Sequence, residues 1–242
     1  MCIRDSSDRV QKLRLDIWSD IACPWCYIGK RHLERALEGF GHDVEIVWRA
    51  FELDPSAPRS RDNSQSYAER LAHKYRVSPE QGQQMIDRVV AAGAATGLEF
   101  RYDRIKSGNT FDAHRLLHWA LEHGKQGELE ERFMRGYMTE GQAIGERDVL
   151  VSLAADVGLD AEEARAVLDG DRYTKEVRTD EALARQLGIT GVPFFVMAGK
   201  LGVSGAQPVE AMAAALAKAW ELVEVEPEPI AEGAVCGPDG CD

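Results

Sequence analysis

LRLDIW (Leu13–Trp18) runs through Ser19–Ala22 into CPWCYIGKRHLERALEGF (Cys23–Phe40) and then, past His42, into VEIVWRAF (Val44–Phe51). In the first segment Leu13, Leu15 and Ile17 alternate with Arg14 and Asp16, the period-two signature of a strand. In the second, Tyr27, Leu33, Ala36, Leu37 and Phe40 line one face of a helix, which Gly39 and Gly41 end. In the third, Val44, Ile46 and Trp48 again share a strand face. The unit is strand–helix–strand, a crossover that implies a parallel pair. A double-cysteine motif stands at its first strand-to-helix junction.

Outward from this unit the pattern changes. Leu53–Ser64 holds Pro55, Pro58 and Asn63 and reads as a linker. From Tyr67 to about Asp180 the periodicity is helical, with segments near 66–75, 79–95, 112–123, 127–139, 146–157 and 161–169. N-cap candidates are Ser78, Asn109 or Thr110, and Asp160. Glu181–Leu187 reads as the last turns of a helix. Phe194–Met197 is a strand, Ala198–Lys200 a turn, and Leu201–Val203 a second strand, making a hairpin. Gln207–Val209 opens a final helix to about Leu222, with Met212, Leu216, Ala219 and Val223 at helical spacing. The organisation expected is therefore a sheet domain in two chain-distant halves, 12–60 and 181–225, around an all-helical insertion, 61–180. Residues 1–11 form a polar tail, and 226–242 an acidic tail rich in Pro and Gly.

The composition is that of an ordinary globular chain able to bury a core: 242 residues, 44% hydrophobic and 29% charged. A net charge of -12 argues against nucleic acid as a partner, since a phosphate-binding face needs a basic excess. No apolar run is long enough for a membrane span. Residues 1–11 lack the apolar core of a secretory signal, so the expected compartment is the cytoplasm. There a close cysteine pair is more often catalytic or metal-binding than structural.

Of the five cysteines, Cys23 and Cys26 are spaced C-x2-C, Cys236 and Cys241 are spaced C-x4-C, and Cys2 is left over. On a helix, positions three apart differ by about 300° and ~4.5 Å of rise, so two sulfurs so placed can bond. Cys23 falls at the helix N-terminus, where free N–H groups and the dipole favour a thiolate. It is therefore the expected nucleophile, and Cys26, one turn deeper, the resolving thiol. Pro24 at the first helical position stiffens the turn, and Trp25 fills the motif. A metal site is the competing reading, but one C-x2-C supplies two of about four ligands. His114 and His118, four apart, can in principle add two, although a helix-face role suits them better. No metal and no organic cofactor are expected.

Pro193 enters the Phe194–Met197 strand, and a proline there belongs at a strand start or bend. A cis peptide after Val192 would leave the Val192 backbone free to pair with an extended substrate beside Cys23. A plain trans proline at the strand end is the alternative. Asp16 and Asp20 flank the motif. A buried acid near Cys26 would take its proton, whereas the alternation turns Asp16 toward solvent. Trp48, Phe51, Phe194 and Phe195 are groove or core aromatics, and Arg49 is a candidate for a substrate carboxylate.

Taken together, SDIACPWCYIGKRHLE (19–34), VWRAFELDP (47–55), NTFDAHRL (109–116) and GITGVPFFV (188–196) resemble the DsbA-like thioredoxin superfamily. The likeness is strongest to its FrnE branch, grouped with 2-hydroxychromene-2-carboxylate isomerases, and covers about residues 12–225. The resemblance implies an α/β thioredoxin fold with a large all-helical insertion. It implies Cys23 as attacking cysteine, Cys26 as resolving cysteine, and Pro193 as a cis-proline preceded by Val192. Val192, Pro24 and Trp25, around the motif and the proline, are the candidate substrate contacts. The isomerase and kappa-class glutathione transferase relatives generally carry a serine where Cys23 stands, so the retained pair favours redox chemistry. Periplasmic relatives usually place a histidine where Trp25 stands, so a less oxidising site is expected.

The expected activity is dithiol–disulfide exchange on protein thiols, with a small thiol or a reductase as electron donor. A glutathione-dependent isomerase or transferase acting on an aromatic substrate is the enzymatic alternative, and a chaperone-like peptide-binding module the non-enzymatic one. Pro238-Asp239-Gly240 is turn chemistry that brings Cys236 and Cys241 together, and some FrnE-type proteins have such a second pair. A redox shuttle to Cys23–Cys26, a passive disulfide, half of a zinc site and free thiols all remain open for it.

Overall fold

A computed structural model describes residues 11–60 and 65–224. Cys2, Cys236 and Cys241 lie outside the described residues.

Leu13–Ser19 forms β1, Pro24–Leu37 forms α1 and Val44–Ala50 forms β2. β1 and β2 pair in parallel, with Ile17 opposite Trp48. After the helices, Phe194–Met197 forms β3 and Leu201–Ser204 forms β4, and β3 lies antiparallel to both β1 and β4. The sheet order is β2-β1-β3-β4. The final helix, which we number α9, spans Val209–Glu224. One core joins Leu13, Leu15 and Ile17 of β1, Leu33 of α1, Phe195 and Met197 of β3, and Met212 and Leu216 of α9.

Between β2 and β3 run α2 (Tyr67–Tyr75), α3 (Pro79–Ala95), α4 (Phe111–Glu122), α5 (Gln126–Met138), α6 (Arg147–Asp156), α7 (Ala161–Asp169) and α8 (Thr174–Gln186). Ser66 and Ser78 close capping boxes with Glu69 and Gln81, and the Asp160 side chain accepts from the Glu163 N–H at 2.8 Å. Each satisfies first-turn donors that a helix otherwise leaves open. Thr110 is the N-cap of α4, but its side chain makes no cap hydrogen bond. Asn109 supplies one instead, accepting from the Phe111 N–H at 2.8 Å. Gly82 of α3 lies against α2, and a Cβ there would sit 2.4 Å from the Ala68 carbonyl oxygen.

The chain from Thr174 to Gln186 is one helix, longer than the closing turns read from Glu181–Leu187. Leu183 and Ala184 of α8 cover Trp18 on the sheet face opposite α9. β1 is therefore covered on both faces, and Asp16, read as turned to solvent, is buried instead. Its carboxylate is held by Arg14 at 3.0 Å and by Arg49 at 2.8 Å.

The helical core and the sheet meet at α1. Cys23, Cys26, Tyr27 and Ile28 pack with Leu116, Phe133, Met134 and Tyr137. On the surface of that junction, Glu131 of α5 takes charged hydrogen bonds from Lys30, at 2.7 Å, and from Arg31, and accepts one from the Tyr27 hydroxyl at 2.6 Å.

Candidate active site

Cys23 is the N-cap of α1, in extended conformation, with Pro24 at the first helical position. Its N–H donates to the Asp20 carbonyl at 2.9 Å, and its own carbonyl accepts from the Cys26 N–H at 3.1 Å. This turn sets the two cysteines close together. Both thiols are free and buried, Cys23 at 4% and Cys26 at 1% exposure. Between them in sequence, Trp25 is exposed.

The opposite wall is the loop before β3. The Val192–Pro193 peptide is cis, and the Cys23 Sγ lies 3.5 Å from the Val192 carbonyl oxygen. α1 approaches this loop closely at Gly29, where a Cβ would stand 3.0 Å from the Pro193 ring. The structure thus brings Cys23, Cys26, Val192 and Pro193 together, with Trp25 beside them at the surface.

Behind the cysteines is a buried polar cluster. Burial pushes the Cys26 thiol well above the usual cysteine range, and the neighbouring Cys23 sulfur raises it further. The Asp20 backbone N–H and the nearby Ser19 side chain oppose that rise. The Ser19 hydroxyl also donates to Glu130 Oε1 at 2.7 Å. Glu130 of α5 is fully buried, its Oε2 has no hydrogen-bond partner, and burial raises its carboxyl to about 7. Asp20 accepts from the N–H groups of Ala22 at 3.3 Å and Leu53 at 2.7 Å. His114 of α4 points its Nε2 at Asp20 Oδ1 across 3.7 Å, too long for a hydrogen bond. Burial works against the His114 proton, but Asp20, Glu130 and Glu52 together raise its affinity above the usual histidine range.

The other sequence candidates fall elsewhere. His118 pairs with Asp180 at 2.9 Å. Among the described residues no cluster of three or more His, Cys, Asp or Glu is placed to hold a metal ion. Arg49 is committed to Asp16 and Asp180, so the carboxylates it meets are the chain's own. Trp48 and Phe195 are core, and Phe51 and Phe194 pack around Trp18. Glu130 escaped the sequence reading. One signal for it was available: it precedes Phe133, Met134 and Tyr137 by three, four and seven residues and so shares their apolar face.

Beside the cysteines opens a cavity of about 580 Å³, lined by Ala22, Leu53, Tyr67, Arg70, Lys74 and Tyr137 among others. Among the described residues no helix is long and apolar enough to cross a membrane.

Comparison with known proteins agrees with this architecture. Residues 14–217 match the family model of the DSBA-like thioredoxin domain. The crystal structure described as a probable DsbA oxidoreductase, SCO1869 from Streptomyces coelicolor, is 47% identical over 95% of this chain and 98% of that one, with a TM-score of 0.84. The cytosolic disulfide reductase DsbM from Pseudomonas aeruginosa shares the fold at 21% identity, over 86% of this chain and 99% of that one, with a TM-score of 0.59. A 2-hydroxychromene-2-carboxylate isomerase shares it at 14% identity, over 86% and 97% of the two chains, with a TM-score of 0.60.

Proposed function

The chain belongs to the DSBA-like thioredoxin domain family, a family of oxidoreductases, and from that footing we propose that it exchanges disulfides with protein thiols through Cys23 and Cys26. The observation that carries this reading is the placement of the two sulfurs. Cys23 stands at the N-cap of α1 against the Val192 carbonyl, while Cys26 lies one turn deeper with 1% exposure. A thiolate at Cys23 attacks a client disulfide and forms a mixed disulfide. Cys26 then attacks the Cys23 sulfur and releases the client as a thiol. In the reverse direction the Cys23–Cys26 disulfide is handed to a client dithiol. Pro24 and Trp25 on one side, and Val192 and Pro193 on the other, flank the client chain.

We place this exchange in the cytoplasm, the compartment named for the reductase that shares the fold. Its electrons would come from a small thiol or a reductase. The roles are tested with insulin reduction and with disulfide formation in a reduced client protein, each run on wild type and Cys23→Ser. Loss of both activities in Cys23→Ser is the expected result, and full activity without Cys23 would refute the assignment. The second pair, Cys236 and Cys241, is proposed as a shuttle. Unchanged turnover and thiol titration in a Cys236→Ser, Cys241→Ser protein would remove it.

The cavity beside Ala22 favours one second reading, a glutathione-type small thiol as substrate or donor. Arg70 and Lys74 are suited to carboxylates, and Tyr67 and Tyr137 add hydroxyls. Tight glutathione binding, with an isomerase or transferase activity surviving Cys26→Ser, would select this reading over protein disulfide exchange.

A further inference from the structure

Resolution of a mixed disulfide requires Cys26 to lose a proton. Its thiol holds that proton firmly, because burial pushes it well up, and at 1% exposure solvent is not at hand to take it. We propose that Cys26 loses its proton inward, through the Ser19 hydroxyl to the Glu130 carboxylate on α5. This proposal rests on the dithiol reading above and adds the route of the proton.

Geometry singles out the path. Ser19 is itself buried and lies between the two: its hydroxyl is among the groups that act on the Cys26 thiol, and it donates to Glu130 Oε1 at 2.7 Å. Glu130 is fully buried, and its second oxygen is unpartnered, so it has no structural bond to give up on taking a proton. Asp20, the acid nearer in sequence, is less suited, since both its oxygens accept from backbone N–H groups of Ala22 and Leu53 that favour its charged form, whereas Glu130 keeps one oxygen without a partner. The groups facing Glu130 are His114 from α4, Lys30 from α1, and Asp20 from the loop after β1. His114 and Lys30 favour its charged form, burial and Asp20 its neutral form. The result, about 7, allows it to take and return a proton near neutral pH.

The step balances as follows. The Cys26 proton passes to the Ser19 oxygen as the Ser19 proton passes to Glu130 Oε1. The Cys26 sulfur bonds to the Cys23 sulfur, and the bond from Cys23 to the client sulfur breaks. The client sulfur leaves with the electron pair and is protonated from solvent. Two thiols of the protein are oxidised, one disulfide is reduced, and Glu130 ends neutral. Reduction of the Cys23–Cys26 disulfide runs the path backward. Glu130 acts through Ser19 and is a positioning residue for the proton.

The test separates the two chemical steps. Full-length protein carrying Cys2→Ser, Cys236→Ser and Cys241→Ser is reduced and mixed with excess dithiobis(nitrobenzoate) in a stopped-flow instrument. The first nitrothiobenzoate released reports attack by Cys23, the second reports resolution by Cys26. Both rates are measured from about pH 5 to about pH 9, spanning the ordinary carboxyl and thiol ranges. In Glu130→Gln and in Ser19→Ala the second release should slow at least about tenfold at neutral pH. The first should stay within about twofold. The wild-type rise in the second rate near pH 7 should vanish in Glu130→Gln.

A second release as fast as wild type in both variants, with the same pH profile, overturns the relay. So does an equal fall of both releases in both variants, which marks a structural role. If one variant fails to fold, the other decides. A wild type that gives no second release refutes the dithiol reading itself, which is a different failure.

Discussion

The thiol of Cys23 rests 3.5 Å from the carbonyl oxygen of Val192, which follows it in the chain by 169 residues. Cys23 thus faces the loop that enters β3, while Cys26 lies one turn deeper against the helical core. Of the two thiols Cys23 is the less deeply buried, at 4% against 1% exposure, and on the dithiol reading proposed above a client sulfur meets it from the side of the exposed Trp25. Cys26→Ser should accordingly accumulate client proteins as mixed disulfides on Cys23, with turnover lowered at least about 100-fold. Cys23→Ser should trap nothing. Non-reducing electrophoresis followed by mass mapping of the cross-linked cysteine checks both outcomes.

Glu130 should leave a mark on stability as well as on kinetics. Its carboxyl moves from 4.5 in the unfolded chain to about 7 in the fold. The fold binds the extra proton, so the contribution is fully present below about 4.5 and is lost as pH rises through about 7. A shift of this size corresponds to about 3 kcal/mol. Urea unfolding of wild type and Glu130→Gln at several pH values should show the gap shifting in favour of the variant by up to that amount between these limits. A constant gap across the range would contradict the assignment.

Glu131, the next residue, should behave in the opposite sense. Burial opposes its charge, but hydrogen bonds from Arg31, the charge of Lys30 and the Tyr27 hydroxyl override burial and lower it from 4.5 to about 2. Its contribution is present above about 4.5 and is lost as pH falls through about 2. Because the group is partly exposed, solvent screening reduces the effect, and Glu131→Gln should cost about 1 kcal/mol at neutral pH. The cost should shrink on acidification, as read by chemical denaturation.

Gly82→Ala should destabilise although alanine is the better helix former. The intrinsic gain is about 1 kcal/mol. Against it, the new Cβ would stand 2.4 Å from the Ala68 carbonyl oxygen, a backbone atom that moves only if α2 moves. Overpacking of this kind costs about 1–3 kcal/mol, so the net change should be unfavourable. A higher melting temperature than wild type would show that α2 and α3 can separate at no cost.

The fold was legible wherever a local period or a punctuating residue expressed it. Phe194–Met197, Pro79–Ala95 and Ala161–Asp169 appear with the bounds their sequence predicts. β1 was found, but its burial was not. Alternation marks one apolar face, and only tertiary packing reveals that Trp18 and Asp16 on the other face are covered by α8 and an ion pair. The close cysteine pair was legible in residue type and spacing, whereas the cis form at Pro193 was implied by the family resemblance. Glu130 was not legible, because an acid on a helix is ordinarily a solvated acid. What makes it otherwise is a hydrogen bond to Ser19, 111 residues away.

The burial of Cys26 has a consequence for timing. On the dithiol reading proposed above, a client held on Cys23 has at hand a neighbouring thiol that is itself closed off from solvent. The internal route of release, on that reading, is thus paced by one turn of α1 and the groups beneath it, and its rate does not scale with the thiol concentration outside.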